Sequence, residues 1–581
     1  MNSKSVFFSF FKYIFILLGS DKKRLPILLL IFILASVLEL LSISLIGPFI
    51  SVISNPEGAN DLFYIKHLTN YFEISNKGEI INILSAVVIL VFALKSVSIV
   101  LINKRIFNFS FQQELKIRML LINSIQEASY ESISKANSSD YLHSVQILAG
   151  DYARGLIGFL KTSSDLISSF FILLALYLID PLSLSILMFL MLFSTIIFQV
   201  LFRERIVNFG VLSNKSLIKL IKNLNETLFG IKEIRVFGKE EQFREKLNAN
   251  AKNYAEVGSK YALISSLPRY FFEFILIFVF VIIVLLNSYL NKNFDNFIVN
   301  IGIFGVASLR LIPSATQILS TVVTIQNTHN SLFLLIKRLS LKKDNFLYKE
   351  GKDLLKINKI NSVEIDNLKF KFEEDKKYIL ENISLRLNSG DTIGIYGASG
   401  SGKTTLINCL IGLYQPTSGV IKVNGEQINA NLKLWQNQLA YLPQNVFVID
   451  DSLAMNIALG EKNYDIDKVQ SSLKKAKLYN LENSMGLDIN KKVGENGMML
   501  SGGQKQRLAL ARAFYFERKI LILDESTNAL DSKTEKEIIK EINSINDDTI
   551  KIIISHDKNL LRNCDKTYKL VSGALVKKII K

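Results

Sequence analysis

Apolar residues in positions 1–335 form six runs that are each long enough to cross a lipid bilayer, which requires about 20 residues in a helix. The runs lie near residues 26–50, 80–103, 156–179, 181–202, 270–290 and 297–323. Lys and Arg concentrate before the first run and after the second, fourth and sixth. Because these residues favour the cytoplasmic side, the pattern predicts six transmembrane helices with both chain ends in the cytoplasm.

Two shorter amphipathic stretches accompany these runs. Residues 5–20 predict a helix on the cytoplasmic membrane surface rather than a cleaved signal, because a long apolar run follows without a small-residue cleavage site. Residues 61–73 place Leu62, Ile65 and Leu68 on one helical face. This second stretch predicts an external helix, either in the outer leaflet or half-buried in an external loop.

The polar stretches 104–155 and 203–260 have a largely helical pattern and predict cytoplasmic extensions of the membrane helices. Turns at 138–140 and 230–233 are expected to touch the second half of the chain. A Lys-rich linker spans 336–360. Beyond it, strand-like and helix-like runs alternate over 361–581, which predicts an α/β domain. The fold class is therefore an α-helical six-span domain at 1–335 fused to an α/β domain.

Composition agrees with a membrane protein. Hydrophobic residues make up 49% of the chain and the mean hydropathy is +0.27, too apolar for a soluble enzyme of this length. The net charge of +17 is compatible with nucleic-acid binding. Cationic loops beside membrane spans explain it better, so no nucleic-acid partner is expected. The two cysteines, Cys409 and Cys564, suit a reducing cytosol.

A glycine-rich segment in the α/β half has the pattern of a phosphate-binding loop. It consists of Gly397, Ala398, Ser399, Gly400, Ser401, Gly402, Lys403, Thr404 and Thr405. An apolar strand-like run precedes it and an amphipathic run follows, so its backbone N–H groups and a helix N-terminus would face one anion. Lys403 is expected to reach the β- and γ-phosphates of a nucleotide, and the Thr404 hydroxyl to ligate Mg²⁺. This context favours phosphate binding over a chance Gly/Ser loop.

A second phosphate-binding segment precedes the helical run 505–516. It contains Ser501, Gly502, Gly503 and Gln504. One nucleotide does not need two such segments from the same chain. A head-to-tail dimer does, because each chain then covers the nucleotide bound by its partner.

The apolar run 520–523 ends in Asp524 and Glu525, which predicts a buried parallel strand with two acids at its carboxyl end. We expect Asp524 to hold Mg²⁺ through water and Glu525 to act as general base. His556 follows a further strand-like run and is expected to bond the γ-phosphate and orient the water. Gln444 is a candidate for Mg²⁺ or the attacking water, with an ordinary turn as the alternative.

Two residues complete the predicted nucleotide site. Phe372 is a candidate adenine-stacking ring, with an ordinary core residue as the alternative. Asp531 ends the sequence Asn-Ala-Leu-Asp, which predicts a dimer-contact loop beside the nucleotide.

Ionisable residues also occur in or beside the apolar runs, where charge is costly and usually faces a cavity or a partner. They are Glu39, Lys95, Lys161, Arg269, Glu273 and Arg310. We predict a cationic cavity lined by Lys95, Arg269 and Arg310 and suited to an anionic substrate. Lys161 and Arg269 lie near predicted span ends, where snorkelling to the interface is the alternative. Glu39 and Glu273 are candidates for neutralising some of these cations.

Along the chain the motifs run from Phe372 through the phosphate loop and Gln444 to His556. In this order they resemble the ABC transporter superfamily, and the resemblance covers essentially the whole chain. Six spans before one ATPase domain resemble an exporter-type half-transporter. The resemblance implies a homodimer in the cytoplasmic membrane with cytosolic ATPase domains, and ATP with Mg²⁺ as cofactors. Glu495 matches the exporter loop that touches the coupling helices.

Within the superfamily the chain resembles bacterial lipid-linked oligosaccharide flippases of protein N-glycosylation, on residues 61–73, 268–269 and 309–315. This resemblance implies ATP-driven flipping of a polyprenyl-diphosphate glycan, handled by Arg269 and Arg310. Lys95 and Gln317 depart from the cations expected there. The alternatives are export of a hydrophobic drug, lipid or peptide, and an ABC protein that binds ATP without cycling. Intact Glu525 and His556 argue against the last.

Overall fold

The computed structural model divides the chain into two compact units. The helical unit comprises Met1–Gln126 and Ala136–Lys342, and the nucleotide unit comprises Glu127–Lys135 and Lys343–Lys581. The structure describes residues 3–54, 77–135, 138–179, 181–289, 294–339, 359–372, 375–428, 432–478, 489–525, 532–543, 545 and 547–578. The predicted external helix at 61–73 and most of the linker lie outside these residues.

The helical unit consists of long helices joined by short ones. Its α-helices are Ser3–Leu18, Leu25–Ser44, Ile46–Ser54, Lys77–Gln126, Ser138–His143, Ala149–Ile179, Pro181–Phe229, Ile231–Val236, Glu240–Tyr289 and Phe294–Leu339, with a 3₁₀ turn at Gly19–Arg24 and a π turn at Ser144–Leu148. The second, fourth and fifth predicted spans continue into the polar extensions without a break. This confirms the helical fold class of the first half of the chain.

Four described stretches are long and apolar enough to cross a membrane: Phe8–Ile53, Gly78–Gln126, Asp140–Leu178 and Gly305–Gln326. Large apolar side chains along them are exposed, among them Leu34, Ile89 and Leu90. Outward-facing apolar surface is what a lipid environment requires. The count of six spans stays a prediction.

The first helix contributes to the core of the helical unit. Phe10, Ile14 and Leu18 are buried, and the helix packs against Phe294–Leu339. Ser9 hydrogen-bonds to His329, with 2.7 Å between Ser9 Oγ and His329 Nε2. Phe8 on the same helix is exposed. The helix is thus anchored by one face, and its predicted position at the membrane surface would involve the other.

The nucleotide unit is an α/β domain, as predicted. Its strands are β1 Ser362–Phe370, β2 Leu380–Asn388, β3 Thr392–Tyr396, β4 Ser418–Val423, β5 Glu426–Gln427, β6 Leu439–Leu442, β7 Ile520–Asp524, β8 Ile550–Ile554, β9 Lys566–Val571 and β10 Ala574–Lys577. One sheet has the order β2-β1-β4-β5 and the other β10-β9-β3-β8-β7-β6. All five residues of β7 are buried.

In the larger sheet, β3, β8, β7 and β6 run parallel, so their carboxyl ends meet at one edge. Helices cover the sheets at Lys403–Leu410, Leu432–Gln436, Leu453–Ile457, Ile466–Lys475, Gly502–Phe516, Ser532–Asn543 and Lys558–Arg562, with a 3₁₀ turn at Glu495–Gly497.

A segment from between two membrane helices belongs to the nucleotide unit. It holds the short helix Tyr130–Lys135, whose Tyr130 ring lies 5.8 Å from the Tyr414 ring. The predicted turn at 138–140 is instead part of helix Ser138–His143 in the helical unit. There Asp140 pairs with Arg338, with 3.5 Å between carboxylate and guanidinium. The turn at 230–233 begins helix Ile231–Val236, and its contact with the nucleotide half stays a prediction.

Candidate functional site

The phosphate loop joins β3 to helix Lys403–Leu410. Gly397 has no room for a side chain, because a Cβ there would lie 2.4 Å from the Leu570 carbonyl oxygen. Gly402, which precedes the helix, has φ +103°, a backbone conformation that favours glycine. Ala398, Ser399 and Gly400 are exposed at the tip. The glycines therefore allow a tight wrap whose outer amides are open to a ligand.

Lys403 is buried and its ammonium group lies within the loop. Its Nζ donates to the carbonyl oxygens of Gly397 at 2.7 Å and Ala398 at 3.1 Å. It also lies 3.3 Å from His556 Nε2. The positive charge is thus held at the carboxyl edge of the sheet, where parallel strands of this kind bind ligands.

The three predicted catalytic side chains meet at this edge. Because β7 is hydrogen-bonded to β8 and β8 to β3, Glu525 and His556 fall beside the phosphate loop. Glu525 Oε1 lies 3.1 Å from His556 Nε2. Gln444 Nε2 donates to the other oxygen of Glu525 at 3.3 Å. A carboxylate held between an imidazole and an amide is positioned to accept a proton from water.

Asp524 is only 7% exposed and accepts a hydrogen bond from the Tyr441 hydroxyl at 3.2 Å. Burial raises the pKa of Asp524, and the hydrogen bond from Tyr441 opposes that rise. Burial and the neighbouring carboxylate raise the pKa of Tyr441 in turn. This pairing could not be predicted from local sequence, since Tyr441 lies 83 positions from Asp524 and only the β6–β7 register brings them together.

The predicted second phosphate-binding segment forms a capped helix start. Ser501 Oγ accepts from the Gln504 N–H at 3.3 Å, and Gln504 Oε1 accepts from the Ser501 N–H at 2.7 Å. This reciprocal capping box satisfies two backbone donors and fixes the entry of helix Gly502–Phe516. Ser501 and Gly502 remain exposed.

Phe372 belongs to an aromatic cluster. Its ring lies edge-on to Phe370 at 5.2 Å and to Tyr414 at 5.6 Å, measured between ring centroids. The Lys135 ammonium group lies 5.1 Å from the Phe372 ring centroid. Phe372 is half-buried, so part of the ring is open for stacking. Asp531 lies outside the described residues.

The residues at this edge fit a nucleotide with its metal ion. Ser401 Oγ is buried in the phosphate loop and has no hydrogen-bond partner among the described residues. Thr404 at the start of the helix is exposed. In the described part of the chain no three His, Cys, Asp or Glu side chains are grouped to hold a metal. At nucleotide sites Mg²⁺ usually takes phosphate and water ligands together with one or two protein groups.

A second candidate site is a cavity of about 230 Å³ among the helices of the helical unit. The charged and polar residues that line it include Glu39, Lys161, Asp165, Ser168, Arg310 and Gln317. Arg310 Nε lies 2.6 Å from Glu39 Oε1, and an Arg310 terminal nitrogen donates to Asp165 at 2.8 Å. Ser168 donates to the other Glu39 oxygen.

The structure separates the three cations of the predicted cavity. Arg310 lines it, and Lys95 lies next to it with its Nζ 3.4 Å from Glu39. Arg269 pairs instead with Glu273 at 2.9 Å on its own helix and is 70% exposed. Lys161, for which snorkelling was the alternative, lines the cavity, and Asp165 was missed. Their spacing of four residues was the available signal, because it places both on one helical face.

Comparisons with known proteins match both halves of the chain to ABC transporters. The ABC transporter family matches residues 380–528, and the ABC transporter transmembrane region matches residues 25–311. A probable ABC transporter ATP-binding/permease protein of Haemophilus influenzae is 27% identical over 60% of this chain and 63% of its own length.

ATP-dependent lipid A-core flippases of Cupriavidus pinatubonensis and Paraburkholderia xenovorans are 36% and 39% identical. These alignments cover 35% and 34% of this chain and the same shares of the flippases. The chain thus spans less than two thirds of each of these relatives. A solved structure of a bacterial Atm1-family ABC exporter with ATP bound has a TM-score of 0.77 at 19% identity, covering 96% of this chain and 94% of its own. That likeness establishes the exporter-type fold.

Proposed function

The chain belongs to the ABC transporter superfamily, as a multi-pass membrane protein with a fused nucleotide-binding domain, and we propose that it is an ATP-driven flippase. Its cargo would be a lipid-linked oligosaccharide, a polyprenyl-diphosphate glycan, or a related anionic lipid. The active form would be a homodimer in the cytoplasmic membrane with its ATPase domains in the cytosol.

Different residues of this chain have different roles in the proposed hydrolysis of ATP. The loop amides and Lys403 bind the phosphates, Glu525 takes the proton of the attacking water, and His556 and Gln444 hold Glu525 and the water in place. Thr404, Asp524 and Gln444 would hold Mg²⁺, which neutralises phosphate charge when bound. The 3.1 Å contact between Glu525 and His556 supports this assignment.

One observation supports an anionic cargo: Arg310 is held in a cavity between helices that are apolar enough to span a membrane. Charged groups at such depth are costly and usually mark a substrate path. Three cations, Lys95, Lys161 and Arg310, lie in or beside this cavity with two carboxylates, Glu39 and Asp165, which leaves one positive charge in excess. The two relatives named lipid A-core flippases support a lipid as cargo.

The proposed homodimer rests on the presence of two phosphate-binding segments at different places in the chain. The exposed tip of the phosphate loop and the exposed, capped helix start at Ser501 support the view that both segments face phosphate. Two chains arranged head to tail would use both at each nucleotide.

Proteoliposomes test this proposal. We expect polyprenyl-diphosphate glycans to stimulate ATP hydrolysis and to be moved across the bilayer, whereas hydrophobic drugs and uncharged lipids have no effect. Arg310→Gln should abolish the stimulation and leave basal hydrolysis intact. Arg118→Gln is the matched control, because Arg118 is also an arginine bonded to a carboxylate, Glu114 at 3.0 Å, but does not line the cavity.

Separate Lys95→Gln and Arg269→Gln variants show which other cations handle the cargo. Stimulation by drugs that is insensitive to Arg310→Gln would instead support the alternative, export of hydrophobic drugs, lipids or peptides.

A further inference from the structure

We infer that Asp165 is an internal counter-anion that occupies Arg310 until a substrate diphosphate displaces it, and that Lys161 is the cation that first receives this diphosphate. The inference rests on the proposed function, since it assigns roles at the same cavity.

The contacts of Arg310 are incomplete. One terminal nitrogen donates to Asp165 at 2.8 Å, and Nε faces Glu39 Oε1 at 2.6 Å. That second contact is an ion pair without hydrogen-bond geometry, and among the described residues both of its atoms are buried without a hydrogen-bond partner. A guanidinium binds best when two oxygens of one anion accept two parallel N–H bonds. Two carboxylates on different helices do not offer that arrangement, whereas phosphate oxygens do.

The two carboxylates differ in how firmly they are held. Glu39 is the more buried, at 5% side-chain exposure against 16% for Asp165. It is also bound by Ser168 and lies 3.4 Å from Lys95. Among the described residues the Asp165 carboxylate bonds to Arg310 alone. Asp165 is therefore the partner that can move away at the lower cost, while Glu39 keeps the buried charges of Lys95 and Arg310 balanced.

Lys161 lies one helical turn before Asp165 and lines the same cavity. Its Nζ lies 4.8 Å from the Phe107 ring centroid, and it has no carboxylate partner within ion-pair distance among the described residues. An ammonium group over an aromatic ring keeps its charge available. Lys161 can thus attract a diphosphate before any existing ion pair is broken.

The replacement of Asp165 by a diphosphate would make the cavity selective among ligands. A neutral lipid has no charge that could replace Asp165 at Arg310. A ligand with a single carboxylate would bind Arg310 no better than Asp165 does. A diphosphate carries several anionic oxygens, so it can bridge Lys161 and Arg310 together and replace the lost pair with a stronger one. When the cargo leaves, Asp165 returns to Arg310, which keeps the cation from retaining the product.

Direct binding of farnesyl diphosphate, with farnesol and farnesoic acid as reference ligands, tests the inference on the full-length protein in detergent. Asp165→Asn should lower the Kd for farnesyl diphosphate about tenfold, as expected when one competing unit charge is removed. Lys161→Gln should raise that Kd at least threefold, and Glu114→Gln should leave it unchanged. Thermal unfolding checks that each variant is folded.

The outcomes separate this inference from the proposed function. If the wild-type protein binds farnesol as tightly as the diphosphate, the proposed anionic cargo is wrong. If it prefers the diphosphate but Asp165→Asn binds no more tightly than wild type, the counter-anion role is overturned and the proposed function stands. Should Asp165→Asn fail to fold, an unchanged Kd for Lys161→Gln overturns the inference by itself.

Discussion

Glu525 is held in a backbone conformation that few residues adopt, with φ +49° at the end of a fully buried strand. Such positions cost about 1–3 kcal/mol and persist where the surrounding structure enforces them, often at functional sites. Here the backbone turns the side chain towards His556 Nε2, 3.1 Å away. The conformation is therefore part of what positions the predicted general base.

Glu525→Gln isolates that base, because glutamine keeps the size and backbone demands of glutamate and removes only the proton acceptor. We expect phosphate release to fall by about 10²-fold or more, with ATP binding retained. Phosphate-release and filter-binding assays on the same preparation measure the two effects. Glu426→Gln, an exposed acid on β5, is the control. Wild-type hydrolysis by Glu525→Gln would remove Glu525 from the proposed mechanism.

Tyr441→Phe tests the role of Asp524 through pH. Asp524 must be ionised to hold Mg²⁺; burial raises its pKa, and the Tyr441 hydrogen bond counteracts that rise. Without the hydroxyl the pKa of Asp524 rises further, so the acid limb of ATP hydrolysis at limiting Mg²⁺ should shift to higher pH.

The control for this shift is Tyr515→Phe. It removes a tyrosine hydroxyl that accepts from the Asp465 N–H at 3.3 Å, away from Asp524. An acid limb at the same pH in Tyr441→Phe and wild type would show that Tyr441 does not act on Asp524.

Local sequence predicted the residues whose function depends on neighbours along the chain. The role of Lys403 could be predicted because the whole phosphate loop is one continuous stretch of sequence. Tyr441 and Asp165 were missed because their partners, Asp524 and Arg310, are 83 and 145 positions away. Only sheet register or helix packing shows such pairs.

At the scale of elements, the start of helix Gly502–Phe516 combines two tasks that can be separated. Ser501 caps the helix and, in the proposed dimer, faces the partner's nucleotide. Ser452 caps helix Leu453–Ile457 in the same way, accepting from the Met455 N–H at 3.1 Å. The chain thus offers two serine caps of which one is proposed to contact nucleotide.

Ser501→Ala and Ser452→Ala should each lower the free energy of unfolding of the nucleotide unit by about 1 kcal/mol. Only Ser501→Ala should also lose ATP hydrolysis beyond what that destabilisation explains. Denaturant titration and phosphate release, measured on both variants, give the comparison. Equal losses of hydrolysis would mean that Ser501 acts through helix stability alone.

Periodicity predicted the long helices well, because an apolar run of about 20 residues has few alternatives. It did not predict that Phe10, Ile14 and Leu18 of the first helix pack into a core, since an amphipathic helix has the same sequence pattern whether its apolar face contacts protein or lipid. It also missed helix Tyr130–Lys135 as the segment grouped with the nucleotide unit. That contact depends on Tyr414 and Phe372, which are far away in sequence.

At the scale of the whole molecule, the proposal requires that each nucleotide be bound by two chains. The requirement can be tested by placing two defects either on one chain or on different chains of a dimer. Lys403→Ala removes the phosphate-binding cation, and Ser501→Arg blocks the capped segment. Each homodimer should be inactive because both of its sites contain the same defect.

A heterodimer of the Lys403→Ala chain with the Ser501→Arg chain concentrates both defects in one shared site and leaves the other intact. Purified through two different affinity tags, it should hydrolyse ATP. A heterodimer of wild type with the doubly substituted chain has one defect in each site and should be inactive. Sites contained within single chains predict the reverse, no hydrolysis by the first and about half of the wild-type rate by the second, since only one of its two chains would be intact. Phosphate release by the two heterodimers therefore decides whether the phosphate loop and the Ser501 segment act on the same nucleotide from different chains.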